Sequence, residues 1–296
     1  MISQNPFKYI LVGLDLSEMD NQLIKYTLYL TKHFDVEKIY FVHNIKKYEL
    51  SDLIAEEIDD IDLEKVITDE LTSQVADVFS SEKVDWEILI SDDPYTESLI
   101  NYITKKYHIN TVILGNKTER KGTGLVGFKL LRILKCNVLW VPLMRTIEIK
   151  KLWVATDFSN ASQKAFSISQ LIQEKLDCET SAVHVYNLPM HFSPYINNSK
   201  IEDKLHKKIT AHINKRYDNF IKKLNYSNTL NKLIFPGREA NPSLKLSKEV
   251  KSNKVSMLIV TDKGENIFSN LMVGSVTEEL FNRDMGLPLF VNKVVR

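Results

Sequence analysis

Two glycines and several hydroxyl side chains follow an apolar stretch near the carboxyl end of the chain. Gly264, nine further residues and the pair Gly274-Ser275 come after VSMLIV, with Lys263 before them and Thr277 after them. Glycine lets an anion approach the backbone, while hydroxyl groups, a lysine and the first N–H groups of a helix can hold a phosphate. A helix that starts at Gly274-Ser275 would make this stretch a phosphate-binding loop, although a loop that only turns a corner can have the same residue types.

A carboxylate, Asp157, follows a second apolar stretch, LWVAT. Asp157 or Ser159 has the side chain that an N-cap needs, for a helix that starts near Ala161. Alternatively, an aspartate at the end of a strand can accept a hydrogen bond from a ligand amine, such as the exocyclic amine of adenine. The residues alone leave both roles open.

The clearest organisational feature of the sequence is a repeat. KYILVGLDLSE is echoed by KLWVATDFSN, IYFVHNI by SAVHVYNL, TVILGNK by SMLIVTDK and NVLWVP by PLFVNK. The pairs keep their order along the chain, which chance rarely produces. We therefore predict two domains, residues 1–146 and 147–296, with a boundary near Met144–Lys150.

Short apolar runs alternate with amphipathic stretches in both halves of the chain. Runs without a polar face are typical of parallel sheets that helices cover on both sides. Each domain is therefore predicted to be an α/β domain with a doubly wound, five-stranded parallel sheet. Such sheets bind ligands beyond the carboxyl ends of their strands, where Asp15, Asp157, Gly115 and Thr261 fall.

Composition limits the class of protein. The chain has 296 residues, 44% of them hydrophobic, and no apolar run of the roughly 18–20 residues that a membrane crossing needs. The absence of a signal-peptide pattern and the presence of only two cysteines favour the cytoplasm. Residues 1–148 have a net charge of −7 and residues 149–296 of +8, which is compatible with a homodimer. The basic residues are not interleaved with aromatic ones, which argues against nucleic-acid binding.

Three segments of the second half, WVATDFSNASQKAF, SAVHVYN and IVTDKGENIFSNLMVGSVTEELF, resemble the universal stress protein family, and two units in one chain resemble its tandem subgroup. In that family a loop of the pattern G-x2-G-x9-G-[S/T] wraps the ribose and phosphates of ATP. The resemblance implies the following contacts: adenine with Ala155, Asp157 and Val185, ribose with Val260 and Thr261, and phosphates with Lys263, Gly264, Gly274, Ser275, Val276 and Thr277.

Both units depart from the family pattern. Thr261 replaces the first glycine of the loop, and a β-branched residue would be strained there if the position needed a positive φ. In the first unit Asp15, Gly115 and Gly127 are weaker candidates for nucleotide contacts, because Thr118 replaces the second glycine and Phe128 the hydroxyl residue. The helix after Gly127 is also predicted to be about three residues shorter than its counterpart. A first unit kept for folding and pairing is the preferred interpretation.

The resemblance implies a regulatory protein of the stress response that ATP, with or without Mg²⁺, switches through the second unit. It also implies that the two units pair as a pseudo-dimer through their fifth strands. No nucleophile, base and orienting group can be recognised, so any ATP hydrolysis is expected to be slow, and no metal site is predicted. The repeat-related His43 and His184 are interpreted as structural residues. The alternative function is a nucleotide-free interaction or scaffold protein of the same fold.

Overall fold

Parallel strands alternate with helices throughout the described part of the chain. The computed structural model describes residues 5–46, 62–116, 123–187, 199–224, 226–237, 241–264 and 273–294. Contacts between residues divide the chain into two compact units, Gln4–Glu148 and Ile149–Val294. Thr118 and residues 265–272 of the predicted loop lie outside the described ranges.

The first unit has a five-stranded parallel sheet. Its strands are β1 (Tyr9–Leu14), β2 (Lys38–Asn44), β3 (Asp85–Ser91), β4 (Thr111–Asn116) and β5 (Asn137–Pro142). Its described helices are α1 (Glu18–His33), α2 (Leu63–Phe79), α3 (Thr96–Lys106) and α4 (Thr123–Ile133). The strands lie in the order β3-β2-β1-β4-β5.

The second unit repeats this architecture. Its strands are β6 (Lys151–Ala155), β7 (Glu179–Asn187), β8 (Asn231–Gly237), β9 (Met257–Thr261) and β10 (Leu289–Asn292). Its described helices are α5 (Asn160–Leu176), α6 (Ser199–Leu224), α7 (Pro242–Ser252) and α8 (Ser275–Phe281). The strands are parallel in the order β8-β7-β6-β9-β10, so the predicted doubly wound α/β fold is confirmed.

Apolar side chains cover both faces of the central strands. In β6 the consecutive residues Leu152, Trp153 and Val154 are all buried, and every residue of β10 is buried. Successive side chains of a strand point to opposite faces of the sheet, so consecutive buried residues need cover on both sides. The continuous apolar runs in the sequence are explained by this arrangement.

The turn from the first strand into the first helix is the same in both units. Ser17 accepts a hydrogen bond from the Met19 N–H at the start of α1, and Ser159 accepts one from the Ser162 N–H at the start of α5. The residue before each serine is left-handed, with φ of 61° at Leu16 and 63° at Phe158. The repeated Asp-x-Ser pattern therefore records a strand end that bends sharply into a capped helix.

Strand pairing in the second unit brings the predicted site segments to one edge of the sheet. Ala155 of β6 lies beside Val183 of β7, and Val154 lies beside Ile259 of β9. Because all three strands run in the same direction, their carboxyl ends meet there. None of the described helices has the length and apolar composition that a membrane crossing requires.

Candidate functional site

A cavity of about 470 Å³ lies at the carboxyl ends of β6, β7 and β9 in the second unit. All eleven residues that the sequence predicts around a nucleotide line it: Ala155, Asp157, Val185, Val260, Thr261, Lys263, Gly264, Gly274, Ser275, Val276 and Thr277. The volume is within the roughly 300–1,000 Å³ of small-molecule sites. The structure thus brings the predicted residues together around one space.

Six further residues line the cavity and were not predicted from the sequence. They are Thr156, Val183, His184, Arg216, Pro242 and Leu246. Thr156 and Val183 neighbour predicted residues, whereas Arg216 comes from the middle of α6 and Pro242 is the first residue of α7. In the sequence, Arg216 stands directly before Tyr217 of the predicted apolar face, but nothing distinguishes it from the other cations of this helix.

Ser159 is the N-cap of α5, and Asp157 lies between this helix start and the loop. Its Oδ1 accepts hydrogen bonds from the Ser159 N–H at 3.0 Å and the Ser162 hydroxyl at 2.9 Å, which support the helix start that Ser159 caps. Its Oδ2 faces the loop, since a Cβ added to Gly264 would lie 2.9 Å from that atom. Gly264 is therefore required by the close approach of the loop to the carboxylate, and one Asp157 oxygen supports the helix while the other faces the loop.

Arg216 and His184 pack around Phe158 beside this carboxylate. The Arg216 Nη2 donates to the Asp157 carbonyl at 3.0 Å, and its guanidinium carbon lies 5.5 Å from the centre of the Phe158 ring. The His184 ring is 4.5 Å from the same ring. The ring of the left-handed Phe158 thus contacts two residues that line the cavity, Arg216 and His184.

His184 is an uncharged residue of the cavity wall near neutral pH. Its Nδ1 lies 2.7 Å from the Thr156 carbonyl, which can only accept, so Nδ1 carries the proton. Burial lowers the pKa of His184, and the nearby Arg216 lowers it further. His43 makes the same contact with the Leu14 carbonyl at 3.1 Å, and burial lowers its pKa as well. Each imidazole ties the second strand of its unit to the end of the first.

Thr261 is not strained, contrary to the concern raised by its sequence. It is the last residue of β9, in extended conformation, and is absent from the described residues with positive φ. Its hydroxyl donates to the Lys263 carbonyl at 2.9 Å, and the Thr277 hydroxyl donates to the Thr261 carbonyl at 2.6 Å. The hydroxyl that replaces a glycine therefore helps to shape the start of the loop.

Asp262 holds the two ends of the loop together. Its carbonyl accepts the Gly274 N–H at 2.7 Å, and its carboxylate accepts the Val294 N–H at 2.9 Å. The other carboxylate oxygen pairs with Lys293 at 3.1 Å, and both side chains are at most 5% exposed. A buried ion pair thus fixes the chain at the end of β9, where the loop begins. The loop ends at Gly274, directly before α8.

The charge of the lining favours an anion. Among the described residues around the cavity, Arg216 and Lys263 are cationic and Asp157 is anionic. Glu279 of α8 is held outside this lining by hydrogen bonds from Ser243, at 2.5 Å, and Asn241, and these bonds lower its pKa. The described residues contain no cluster of three or more His, Cys, Asp or Glu that could hold a metal ion.

The first-unit candidates lie in different surroundings. Asp15 is exposed and accepts from the Ser17 hydroxyl at 2.6 Å, while the buried Asp20 carboxylate accepts the backbone N–H groups of Asp15 and Leu16. A Cβ on Gly115 would lie 2.4 Å from the Met19 Cγ, so this glycine is explained by packing against α1.

Gly127 does not precede a helix, as its alignment with Gly274 predicted, but lies inside α4. Helix α4 has 11 residues and α8 has 7, so the prediction of a shorter first-unit helix is wrong. The reason is that α4 begins upstream, at Thr123. The Phe128 ring, which replaces a hydroxyl, packs under the Arg132 guanidinium at 4.3 Å.

Comparison with known proteins agrees with this architecture. The model of the universal stress protein family matches residues 148–283. A universal stress protein from Archaeoglobus fulgidus DSM 4304 has a similar structure, with a TM-score of 0.65, 17% identity and coverage of 96% of both chains. A functionally unknown protein from Pseudomonas aeruginosa PAO1 has a TM-score of 0.65 and 14% identity, over 97% of this chain and 92% of that one. At these identities the likeness shows the fold alone.

No curated protein matches the chain in sequence. The family match covers the unit that contains the cavity, and the fold of the described residues agrees with the solved structures. The second unit thus contains, at residues 148–283, a domain that matches the universal stress protein family.

Proposed function

We propose that the second unit binds ATP, or another adenine nucleotide, and that the protein acts in the cytoplasm as a nucleotide-gated module of the stress response. One observation carries this proposal: the eleven residues that the family resemblance assigns to a nucleotide all line one cavity at the carboxyl edge of the sheet. Doubly wound sheets bind their ligands at that edge.

The chemistry of the lining supports a nucleotide. Apolar side chains of Val183, Val185 and Val260 offer surfaces for a base and a ribose, and the Asp157 carboxylate can accept from an exocyclic amine. Gly264 lines the cavity without a side chain, so a ligand can approach its backbone closely. The buried Lys263 contributes positive charge beside the loop, where phosphates would lie.

The gating follows from the way in which the loop is attached. The segment between Gly264 and Gly274 is held at its base by the Asp262 carbonyl and by the Thr261 and Thr277 hydroxyl contacts. A nucleotide that contacts both Gly264 and Gly274 would change the surface that this edge of the sheet offers to a partner. Mg²⁺ could accompany the phosphates, and hydrolysis is expected to be slow.

The alternative is a nucleotide-free interaction protein. Its support is that the Gly274 N–H and the Thr277 hydroxyl, both candidates for phosphate contacts, already donate to backbone carbonyls of the protein. In that case the cavity would be a remnant, and the function would depend on the outer surface.

Isothermal titration with ATP and Mg²⁺ tests the proposal, with the wild type compared with Asp157→Asn and Asp15→Asn. The two substitutions are matched, because each removes the charge of the aspartate that follows the first strand of its unit. We expect Asp157→Asn to weaken binding about tenfold or more, as for a hydrogen bond to a charged group, and Asp15→Asn to leave it unchanged. Absence of binding by the wild type at millimolar ATP would contradict the proposal and favour the interaction protein.

A further inference from the structure

Arg216 differs from the described lysines of α6, which are exposed. Its neighbour Lys215 is exposed, whereas Arg216 is half-buried and lines the cavity. Helix α6 packs through Ile213, Tyr217 and Phe220, which are all buried. Arg216 lies at the border of this packed face, so α6 carries this cation into the site and leaves Lys215 in solvent.

Two contacts orient the guanidinium. One N–H group donates to the Asp157 carbonyl at 3.0 Å, and the group lies over the Phe158 ring at 5.5 Å. A guanidinium is planar, so the carbonyl contact and the ring together hold its plane at the wall of the cavity that Arg216 lines. Such fixation lowers the entropy lost when a ligand binds.

The neighbours of Arg216 belong to the side of the cavity that the ends of β6 and β7 form. Asp157 and Phe158 follow β6, and His184, whose ring packs on Phe158, precedes Val185 in β7. The proposed function places the base of the nucleotide on this side. Lys263, by contrast, follows β9 and belongs to the loop side, where the phosphates are proposed.

We propose that Arg216 holds the nucleobase and does not act as a phosphate cation. This inference rests on the proposed nucleotide function and adds a residue to it. The flat guanidinium face would stack on the purine, a contact that arginine makes and lysine cannot reproduce. Its contribution would then be the same for adenosine, AMP, ADP and ATP, because all four share the base.

Titration of these four ligands into the wild type, Arg216→Lys and Arg216→Met tests the assignment. Lys215→Met is the matched control for a lost positive charge on the same helix, and Lys263→Met is the control for a cation beside the phosphates. We expect both Arg216 variants to weaken all four ligands by a similar factor, on the order of tenfold, as for loss of one stacking contact. Lys215→Met should change nothing, and the effect of Lys263→Met should increase with the number of phosphates.

A loss that grows from adenosine to ATP in Arg216→Met, and that Arg216→Lys repairs, would overturn the assignment and make Arg216 a phosphate cation. Unchanged affinities in both variants would also overturn it. The Arg216→Lys variant keeps a donor for the Asp157 carbonyl, so it retains the test if Arg216→Met unfolds, which thermal unfolding would detect. If the wild type binds none of the four ligands, the proposed function itself fails, which is a different result from wild-type binding that Arg216 does not affect.

Discussion

The two units share a fold but differ at the carboxyl edge of the sheet, where the second unit has its cavity. In the first unit the Asn44 side chain donates to the Thr96 hydroxyl and the Asp93 carbonyl, both at 2.8 Å, and so joins β2 to the start of α3. At the matching places in the second unit, Val185 of β7 and Pro242 of α7 both line the cavity. Hydrogen-bonding side chains bridge the elements in one unit, and side chains without such groups leave a space in the other.

A second exchange concerns the strand that precedes each loop. In the first unit Gly115 of β4 accommodates Met19, the second residue of α1. In the second unit Thr261 of β9 stands in place of the glycine, and Ala161, the second residue of α5, stands in place of the methionine. The smaller helix residue of the second unit is thus accompanied by the larger strand residue. The fold tolerates either arrangement.

The third difference is electrostatic. Asn116 and Pro142 lie side by side at the ends of β4 and β5. The corresponding positions of the second unit are Asp262 and Lys293, a buried ion pair at the base of the loop. Separating two buried charges is costly, so this pair favours the contact between the start of the loop and the end of β10 more strongly than neutral residues would.

The largest effect is expected when a substitution breaks this ion pair. Lys293→Met leaves the Asp262 carboxylate buried without its cation, which should cost about 3–5 kcal/mol of unfolding free energy. Chemical denaturation followed by circular dichroism measures the change. The double variant Asp262→Asn, Lys293→Met should regain most of the loss, because it approaches the neutral arrangement of the first unit. Equal stabilities of the single and double variants would contradict the role of the pair.

The next largest effect is expected when one glycine in each unit is replaced with alanine. Gly115→Ala drives a Cβ to 2.4 Å from the Met19 side chain and should cost about 1–3 kcal/mol of unfolding free energy, without changing ligand affinity. Gly264→Ala places a Cβ 2.9 Å from the Asp157 carboxylate and should weaken nucleotide binding with a smaller effect on folding. Denaturation and titration of both variants measure the two quantities. An affinity loss in Gly115→Ala would show that the first unit also binds the ligand.

The smallest expected effect is a pH dependence of stability, to which both units should contribute. The folded pKa of His43 and His184 is lowered from 6.5, chiefly by burial, so the unfolded chain binds their protons first as pH falls. The stability contribution is complete above pH 6.5 and is lost as pH falls from there to the folded pKa values.

Nearby charges also change these pKa values. Lys46 lowers and Asp15 raises the pKa of His43, and Arg216 lowers and Asp157 raises the pKa of His184. Replacing His43 or His184 with asparagine should reduce the loss of stability between pH 7 and pH 5. Denaturation midpoints across that range measure it, and an unchanged slope would refute the prediction.

The repeat and the apolar runs were sufficient to predict the fold. Continuous runs such as LWVA in β6 have few alternatives to a parallel strand covered on both sides, and their order then determines the topology. Residues that follow strands were also predictable in position, because parallel strands end at one edge. This is why Asp157, Val185 and Gly264, which are far apart in sequence, line the same cavity.

Residues whose role depends on the packing of a distant helix were not predictable. Arg216 looks like any other cation of a basic amphipathic helix, and only the rotation of α6 against Phe158 turns it into the cavity. Strain at Thr261 was expected only if its position needed a positive φ, and a family glycine does not reveal whether its position needs a positive φ or only space. The start of α4 at Thr123 was missed because the alignment of Gly127 with Gly274 placed the helix start after Gly127.

The hydrogen bond between the Gly274 N–H and the Asp262 carbonyl has a consequence for how such sites diverge. It brings the two ends of the intervening segment together whatever the number of residues between them. Doubling the length of a closed loop costs only about 0.6 kcal/mol, so insertions and deletions between Gly264 and Gly274 should be tolerated. Relatives that keep the closing residues while changing the count would be missed by a search pattern that demands nine residues. The pair of anchors is therefore a better signature of this site than the spacing by which the loop is recognised.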